Sequence, residues 1–210
     1  FYEEIPSRLK NIQIEDYGDN IIIPGLIDLH IHAPQYAFRG MGMDMQLLDW
    51  LNTYAFKEEG KYRDLEYAKK QYSKFVSDVK NSATTRLSIF ATLHKDATIM
   101  LMDMLEEAGI KAYVGKVRNS PEFLTEDTLK SKEDTIEWLE DTKDRYKNIK
   151  PILTPRFIPS CTDNLMEEIK QINNIYNIPV QSHLSENKSE IEWVAELHPD
   201  TKNYAEAYDK

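Results

Sequence analysis

The chain has 210 residues, of which 41% are hydrophobic and 30% charged, so it is long enough to bury a substantial core. Its formal net charge of −10 disfavours contact with phosphate backbones, and we expect no nucleic-acid partner. No run of 18 apolar residues is present, and we expect no membrane partner. A single cysteine, Cys161, excludes an internal disulfide framework and predicts a cytoplasmic location.

Strand-like and helix-like segments alternate along the chain. The predicted strands are short apolar, β-branched runs, at residues 21–32, 84–92, 112–117, 150–157 and 178–186. The predicted helices carry apolar residues at helical spacing, and they cover residues 47–56, 64–82, 96–110, 132–146, 163–176 and 189–198. This alternation predicts an α/β protein with a parallel sheet and helical crossovers.

Polar residues at the strand ends distinguish between two α/β architectures. His30 and His32, then Arg156, then His183 each lie at the end of a predicted strand. Active sites of (β/α)8 barrels lie at the carboxyl ends of several strands, whereas an open sheet concentrates its site at one switch point. We therefore predict a (β/α)8 TIM barrel, represented by roughly its first five β/α units. Because such a barrel has eight strands, the chain is expected to be truncated.

Two histidines alternate at the end of the first predicted strand, in the segment PGLIDLHIHAPQY. Side chains at positions i and i+2 of a strand share a face, so His30 and His32 are expected to point the same way. His183 ends a later strand, and nitrogen ligands of this kind suit a zinc site. Asp28 either orients a ligand or caps the strand. The alternative is a pair of solvated or hydrogen-bonded histidines.

Four further residues are candidates for proton transfer or substrate binding. Glu186 lies three residues after His183, where a carboxylate can carry a proton from metal-bound water, or it is an ordinary carboxylate in the first turn of a helix. An arginine fork and a phenylalanine ring suit a planar heterocycle, so Arg156 and Phe157 are candidates, although Arg156 could pair with a surface carboxylate instead. The amide of Gln35 suits a purine edge, or it is a solvated loop residue.

The remaining histidines and tryptophans are given simpler interpretations. We interpret His94 and His198 as structural residues outside a site. Trp50 is either a core residue on a helix face or the wall of a pocket. Nothing in the sequence marks Cys161 as a nucleophile.

The segments PGLIDLHIHAPQY, LLDWLNTYAF, YVGKV, KPILTPRF and QSHLSEN resemble, in order and approximate spacing, the guanine deaminases of the amidohydrolase superfamily. The resemblance implies a stub of a flanking β-domain at residues 1–20 and the N-terminal part of a (β/α)8 barrel at 21–210. It also implies hydrolytic deamination of guanine to xanthine and ammonia by a zinc-activated hydroxide, in purine catabolism. One Zn²⁺ per subunit, with Fe²⁺ as the alternative metal, and a homodimer are implied as well.

The resemblance assigns roles to individual residues. It implies that the metal ligands are His30, His32 and His183 and that the proton shuttle is Glu186. It also implies that the purine is bound by Gln35, Arg156 and Phe157. The family has a further histidine and an aspartate ligand after later strands that this chain does not contain, so the 210 residues alone are expected to be poorly active. Two alternatives stay open: another amidohydrolase acting on 8-oxoguanine, an adenosine derivative or a triazine, and a catalytically degenerate purine-binding barrel.

Overall fold

A computed structural model of the chain describes residues 13, 15–118 and 131–209. Its strands are β1 (Leu26–His32), β2 (Thr84–Phe90), β3 (Lys111–Gly115), β4 (Val117–Arg118), β5 (Ile149–Pro151) and β6 (Thr154–Pro155). Its α-helices are α1 (Leu47–Trp50), α2 (Phe56–Gly60), α3 (Leu65–Lys80), α4 (Lys95–Glu107), α5 (Ser131–Thr142), α6 (Asp163–Tyr176) and α7 (Lys188–Leu197). The β-domain stub predicted for residues 1–20 lies mostly outside the described residues and stays a prediction.

The described strands form two sheets in which every pairing is parallel. The larger sheet has the order β1-β2-β3-β5, and β4 pairs with β6 in the smaller one. Helix α3 connects β1 to β2, α4 connects β2 to β3, and α5 precedes β5, as the crossovers of parallel strands require. The predicted α/β class with a parallel sheet and helical crossovers is confirmed.

The prediction of a regular strand at residues 178–186 is wrong. The segment lies beside Leu153, to which it makes two backbone hydrogen bonds of 2.9 Å, but it forms only one isolated parallel bridge, between Leu153 and Val180. Two residues further along the neighbouring strand is Pro155, which has no backbone N–H to continue the ladder. The segment is therefore parallel to its neighbour without regular strand pairing.

The core lies between the larger sheet and the helices that cover it. Helix α3 turns one apolar face inward at helical spacing, with Ala68, Tyr72, Phe75, Val76 and Val79 buried. These side chains pack in one cluster with buried residues of β2, β3 and α4, such as Ile89, Val114 and Leu101. The cluster fixes the positions of the strands, and hence of the side chains at their carboxyl ends. Among the helices of the described residues, none has the length and apolar character needed to cross a bilayer.

Candidate metal and substrate site

One cavity of about 250 Å³ lies where β1, β6 and the segment after Val180 end. The structure brings all seven residues that the sequence predicted as site residues to its wall, namely His30, His32, Gln35, Arg156, Phe157, His183 and Glu186. The carboxyl ends of parallel strands lie at one edge, which is why residues 30 and 186 meet although they are far apart in the chain. The individual roles of these residues stay predictions.

Three histidines converge in this cavity with geometry that suits one metal ion. One ligand nitrogen from each of His30, His32 and His183 lies within 4.8 Å of the others. The Nε2 atoms of His32 and His183 are 2.9 Å apart. Two nitrogen ligands of one tetrahedral zinc ion lie about 3.3 Å apart, since each Zn–N bond is about 2.0–2.1 Å. Three imidazoles are also a donor set that zinc favours, so the residues present fit a metal of this kind.

A buried phenylalanine supports all three imidazole rings. Phe90 ends β2, is 1% exposed and pairs in register with His32. Its ring centroid lies 4.6 Å from that of His32 with the planes nearly parallel, 4.8 Å from that of His30 and 4.5 Å from that of His183. The Nδ1 atom of His32 is buried and has no hydrogen-bond partner among the described residues, so stacking on Phe90 orients this ring. Phe90 is not identifiable as a site residue from the sequence, because only the strand register reveals its neighbours.

Hydrogen bonds determine the tautomer of His183. Its Nδ1 atom lies 2.6 Å from the backbone carbonyl oxygen of Arg156, which can only accept, so Nδ1 carries the proton and donates. The Nε2 lone pair is then free for a metal. The hydroxyl of Tyr208 donates to the carbonyl oxygen of His183 at 2.6 Å and lies 2.7 Å from the hydroxyl of Ser182. The backbone and the ring of this candidate ligand are therefore both held in place.

The electrostatics of the cavity keep the buried histidines neutral. Burial lowers the pKa of His183 to about 4, and the nearby positive charge of Arg156 acts in the same direction. Burial also lowers the pKa of His32 well below its ordinary value, again with a contribution from Arg156. A neutral imidazole is the form that binds a metal, so both rings are competent ligands at neutral pH.

Glu186 lies between the last histidine and helix α7. Burial raises the pKa of the Glu186 carboxyl, and the negative charge of Glu190 raises it further. The alternative assignment, a carboxylate in the first helical turn, is wrong for Glu186, because α7 begins at Lys188 and is capped by Asn187. Glu190 occupies the first turn instead, and its Oε2 atom accepts hydrogen bonds from the backbone N–H groups of Glu186 and Asn187. Glu186 is thus free of the helix and lines the cavity.

Arg156 is buried in the wall of the cavity and pairs with an acidic residue, Glu59, that no motif in the sequence indicates. Its Nη1 and Nη2 atoms donate to the two carboxylate oxygens of Glu59 at 2.5 and 3.2 Å. Both residues are at most 4% exposed, so the predicted alternative of a surface carboxylate partner is wrong. Gln35 donates from Nε2 to Oε1 of the same Glu59 at 3.0 Å. The two polar residues predicted to bind substrate therefore share one buried carboxylate.

A periodic signal could have identified Glu59. Leu51, Ala55 and Glu59 are spaced four residues apart, and Tyr62 follows three residues later; all four are buried. A carboxylate in an apolar helical row must be paired when buried, because an unpaired buried charge is strongly destabilising. The row predicts that Glu59 is buried, but it does not identify the partner.

The helical segment after β1 closes one side of the cavity. A π-helical turn at Leu51–Ala55 lies between α1 and α2, and such turns are frequent at functional sites. Trp50 precedes this turn and donates from Nε1 to the carbonyl oxygen of Met41 at 2.9 Å. It lines the cavity, so its alternative assignment as a pocket wall is the one the structure supports. His94 and His198 are not among the described residues that line this cavity, in line with their structural interpretation.

Comparisons with known proteins agree with this architecture. Residues 21–210 match the family described as "Amidohydrolase family". The chain is 41% identical to the guanine deaminase of Rattus norvegicus over 98% of this chain and 45% of that protein, and 33% identical to that of Escherichia coli (strain K12) over 98% and 46%. A crystal structure of guanine deaminase from C. acetobutylicum with bound guanine superposes with a TM-score of 0.92 at 48% identity, covering 98% of this chain and 50% of that one.

The chain spans about half the length of the curated relatives it matches. The family match covers most of the chain, and the parallel sheet with its helices is part of the (β/α)8 barrel that the family implies, so the predicted fold is confirmed. Enzymes of this family are generally metal-dependent, and the three-histidine group described above is a site that could bind a metal. This chain belongs to the amidohydrolase family.

Proposed function

We propose that the whole protein is a zinc-dependent guanine deaminase, which hydrolyses guanine to xanthine and ammonia. The observation that carries this proposal is the meeting, at one cavity, of three histidine nitrogens, the Glu186 carboxyl and the side chains of Gln35 and Arg156, both of which donate to Glu59. The similarity to guanine deaminases, including one solved with bound guanine, supports the same substrate.

The metal would be held by His30, His32 and His183, whose donor set and spacing fit zinc. When bound, a zinc ion acts as a Lewis acid that makes water a nucleophile near neutral pH. The chain itself keeps His32 and His183 neutral by burying them. Phe90 orients the rings by stacking, and the Arg156 carbonyl fixes the tautomer of His183.

Glu186 would carry the protons that the reaction must move. Hydrolysis at C2 of guanine must move two protons: one passes from the attacking water to the ring nitrogen N3, and the second passes from the hydroxyl then on C2 to the amine, which leaves as ammonia. A carboxyl whose pKa is raised by burial is well suited both to accept and to return each proton. Glu186 lines the same cavity as the three histidines, which supports this role.

Gln35, Arg156 and Phe157 would hold the purine. The guanidinium and amide offer hydrogen bonds to the ring edge, and Phe157, which is 4% exposed, offers apolar contact at the cavity wall. Holding C2 close to the nucleophile would raise the rate, because the entropy of bringing the reactants together in the correct orientation is lost on binding rather than in the reaction step.

The test is xanthine and ammonia formation by the purified whole protein, together with its metal content. The proposal expects about one zinc per chain, guanine turnover that a chelator abolishes, and recovery when zinc is returned. A panel containing 8-oxoguanine, an adenosine derivative and a triazine tests the related amidohydrolase activities. Turnover of one of these in place of guanine would contradict the proposed substrate. Guanine binding without ammonia release would instead indicate a degenerate, purine-binding barrel.

The homodimer, the cytoplasmic location and the role in purine catabolism stay predictions of the sequence analysis. The dimer is testable by light scattering of the whole protein during gel filtration. A mass of one chain would contradict it.

A further inference from the structure

Glu59 is a buried carboxylate that the proposed mechanism does not use. Its side chain is 5% exposed and accepts three hydrogen bonds, two from Arg156 and one from Gln35. It lies on the helical segment after β1, 97 residues before Arg156 in the chain. Glu59 itself is not among the described residues that line the cavity, so it would contact a ligand only through its two partners.

The carboxylate determines which way the Gln35 amide faces. A carboxylate can only accept hydrogen bonds, so Gln35 must turn its NH₂ group toward Glu59. Within the described part of the chain, the carbonyl oxygen Oε1 of Gln35 makes no hydrogen bond, which leaves it available as an acceptor for a ligand. Arg156, whose fork is held by the same carboxylate, supplies only donors. The cavity therefore offers an acceptor and donors in a fixed arrangement.

We propose that Glu59 is a positioning residue that sets the donor and acceptor pattern of the purine subsite and so selects 6-oxopurines over 6-aminopurines. This inference rests on the proposed function. Guanine has an acceptor oxygen at position 6 beside an N–H at position 1, whereas 2,6-diaminopurine has an amine donor beside an unprotonated ring nitrogen. The acceptor of Gln35 and the donors of Arg156 match the pattern of guanine. They oppose the pattern of 2,6-diaminopurine, because mismatched partners leave buried polar groups unpaired.

Replacing Glu59 by glutamine is expected to reverse the amide of Gln35. The Glu59→Gln side chain keeps one acceptor, which the strong donation from Arg156 Nη1 would retain. Its new NH₂ group then faces Gln35, whose amide must turn to accept, and the Gln35 NH₂ group is presented to the cavity. The subsite thereby loses its fixed acceptor while its volume is preserved.

The experiment measures kcat and KM for guanine and the competitive Ki of 2,6-diaminopurine, using the metal-loaded whole protein. For Glu59→Gln we expect the guanine KM to rise at least tenfold, with kcat changed less than threefold. The ratio of the 2,6-diaminopurine Ki to the guanine KM is expected to fall at least tenfold. Glu58→Gln is the matched control, since Glu58 bonds Lys61 and Tyr67 away from the cavity, and it is expected to behave as wild type. If folded Glu59→Gln keeps the wild-type ratio, even with both purines bound more weakly by the same factor, the inference is overturned.

Glu59→Asp keeps the test decisive if Glu59→Gln does not fold. Aspartate retains the charge, so Arg156 and Gln35 still donate to a carboxylate, but its side chain is one methylene shorter. We therefore expect a higher guanine KM, with the ratio of the 2,6-diaminopurine Ki to the guanine KM unchanged from the wild type. An unchanged guanine KM, or a reduced ratio, overturns the inference. A wild-type protein that forms no xanthine contradicts the proposed function and the inference with it, whereas an active wild type with unaltered Glu59 variants contradicts the inference alone.

Discussion

His183 and Arg156 are joined through the backbone carbonyl of Arg156, which accepts a hydrogen bond from Nδ1 of the His183 ring at 2.6 Å and another from the His183 backbone N–H at 3.2 Å. One carbonyl group thus orients a candidate metal ligand, while the side chain of the same residue is a candidate substrate-binding group. The candidate metal ligand and the candidate substrate-binding residue are therefore joined through this one carbonyl group. A displacement of the chain at residue 156 would change both.

Loss of one histidine is expected to remove the metal. His32→Ala leaves two of the three imidazole ligands in this chain and removes the ring that stacks on Phe90, so we expect metal content to fall at least tenfold in the whole protein. Elemental analysis after gel filtration measures it. His94→Asn serves as the control, because His94 lies outside the cavity and is expected to keep the wild-type metal content. Full metal content in His32→Ala would exclude this ligand assignment.

Removal of the Glu186 carboxyl is expected to abolish proton transfer without removing the metal. Glu186→Gln preserves size and polarity but cannot accept the proton, and we expect kcat for guanine to fall by about 10²–10⁴-fold. Glu192→Gln is the matched control, since Glu192 lies in α7 and is exposed to solvent. Steady-state kinetics with metal analysis check the result. Near-normal kcat in Glu186→Gln would rule out the shuttle role.

The charge of Glu190 is expected to shift the pH dependence of the reaction. The Glu190 carboxylate raises the pKa of Glu186, so removing its charge lowers that pKa toward the ordinary value. In Glu190→Gln the acid limb of the kcat/KM profile should move to lower pH, because Glu186 then stays ionised in more acidic solution. A profile recorded on both proteins checks the direction. A shift to higher pH, or no shift, would contradict the assigned cause.

Metal-free protein is expected to lose stability as the pH falls from neutral. The pKa of His183 is about 4 in the folded chain and 6.5 in an unfolded one, so between these values the unfolded chain holds a proton that the folded chain lacks. The contribution of this group is complete above pH 6.5 and is lost progressively toward pH 4, by about 3 kcal/mol in total. His32 acts in the same direction.

Urea unfolding of the chelator-treated whole protein at several pH values measures this effect. We expect His183→Asn to show a shallower decrease in unfolding free energy between pH 6.5 and 4 than the wild type. Equal slopes in the two proteins would show that His183 does not titrate as assigned.

Much of the fold follows from local patterns. The apolar, β-branched runs predict the parallel strands β1, β2 and β3, and the helical spacing of Tyr72, Phe75 and Val79 predicts α3, because side-chain periodicity is set by the backbone of each segment alone. Parallel strands place their carboxyl ends at one edge, so the sequence alone assigns polar residues after successive strands to one cavity.

The sequence by itself therefore determined the α/β class, the family resemblance and seven of the residues that line the cavity. The tertiary structure alone decided that Glu59 pairs with Arg156 and Gln35, that Phe90 supports the histidines, and that Glu190 rather than Glu186 occupies the first turn of α7. These relationships depend on strand register, on burial and on which of several similar carboxylates comes within hydrogen-bond distance. None of those quantities is a property of a local segment, so only the packed chain reveals them.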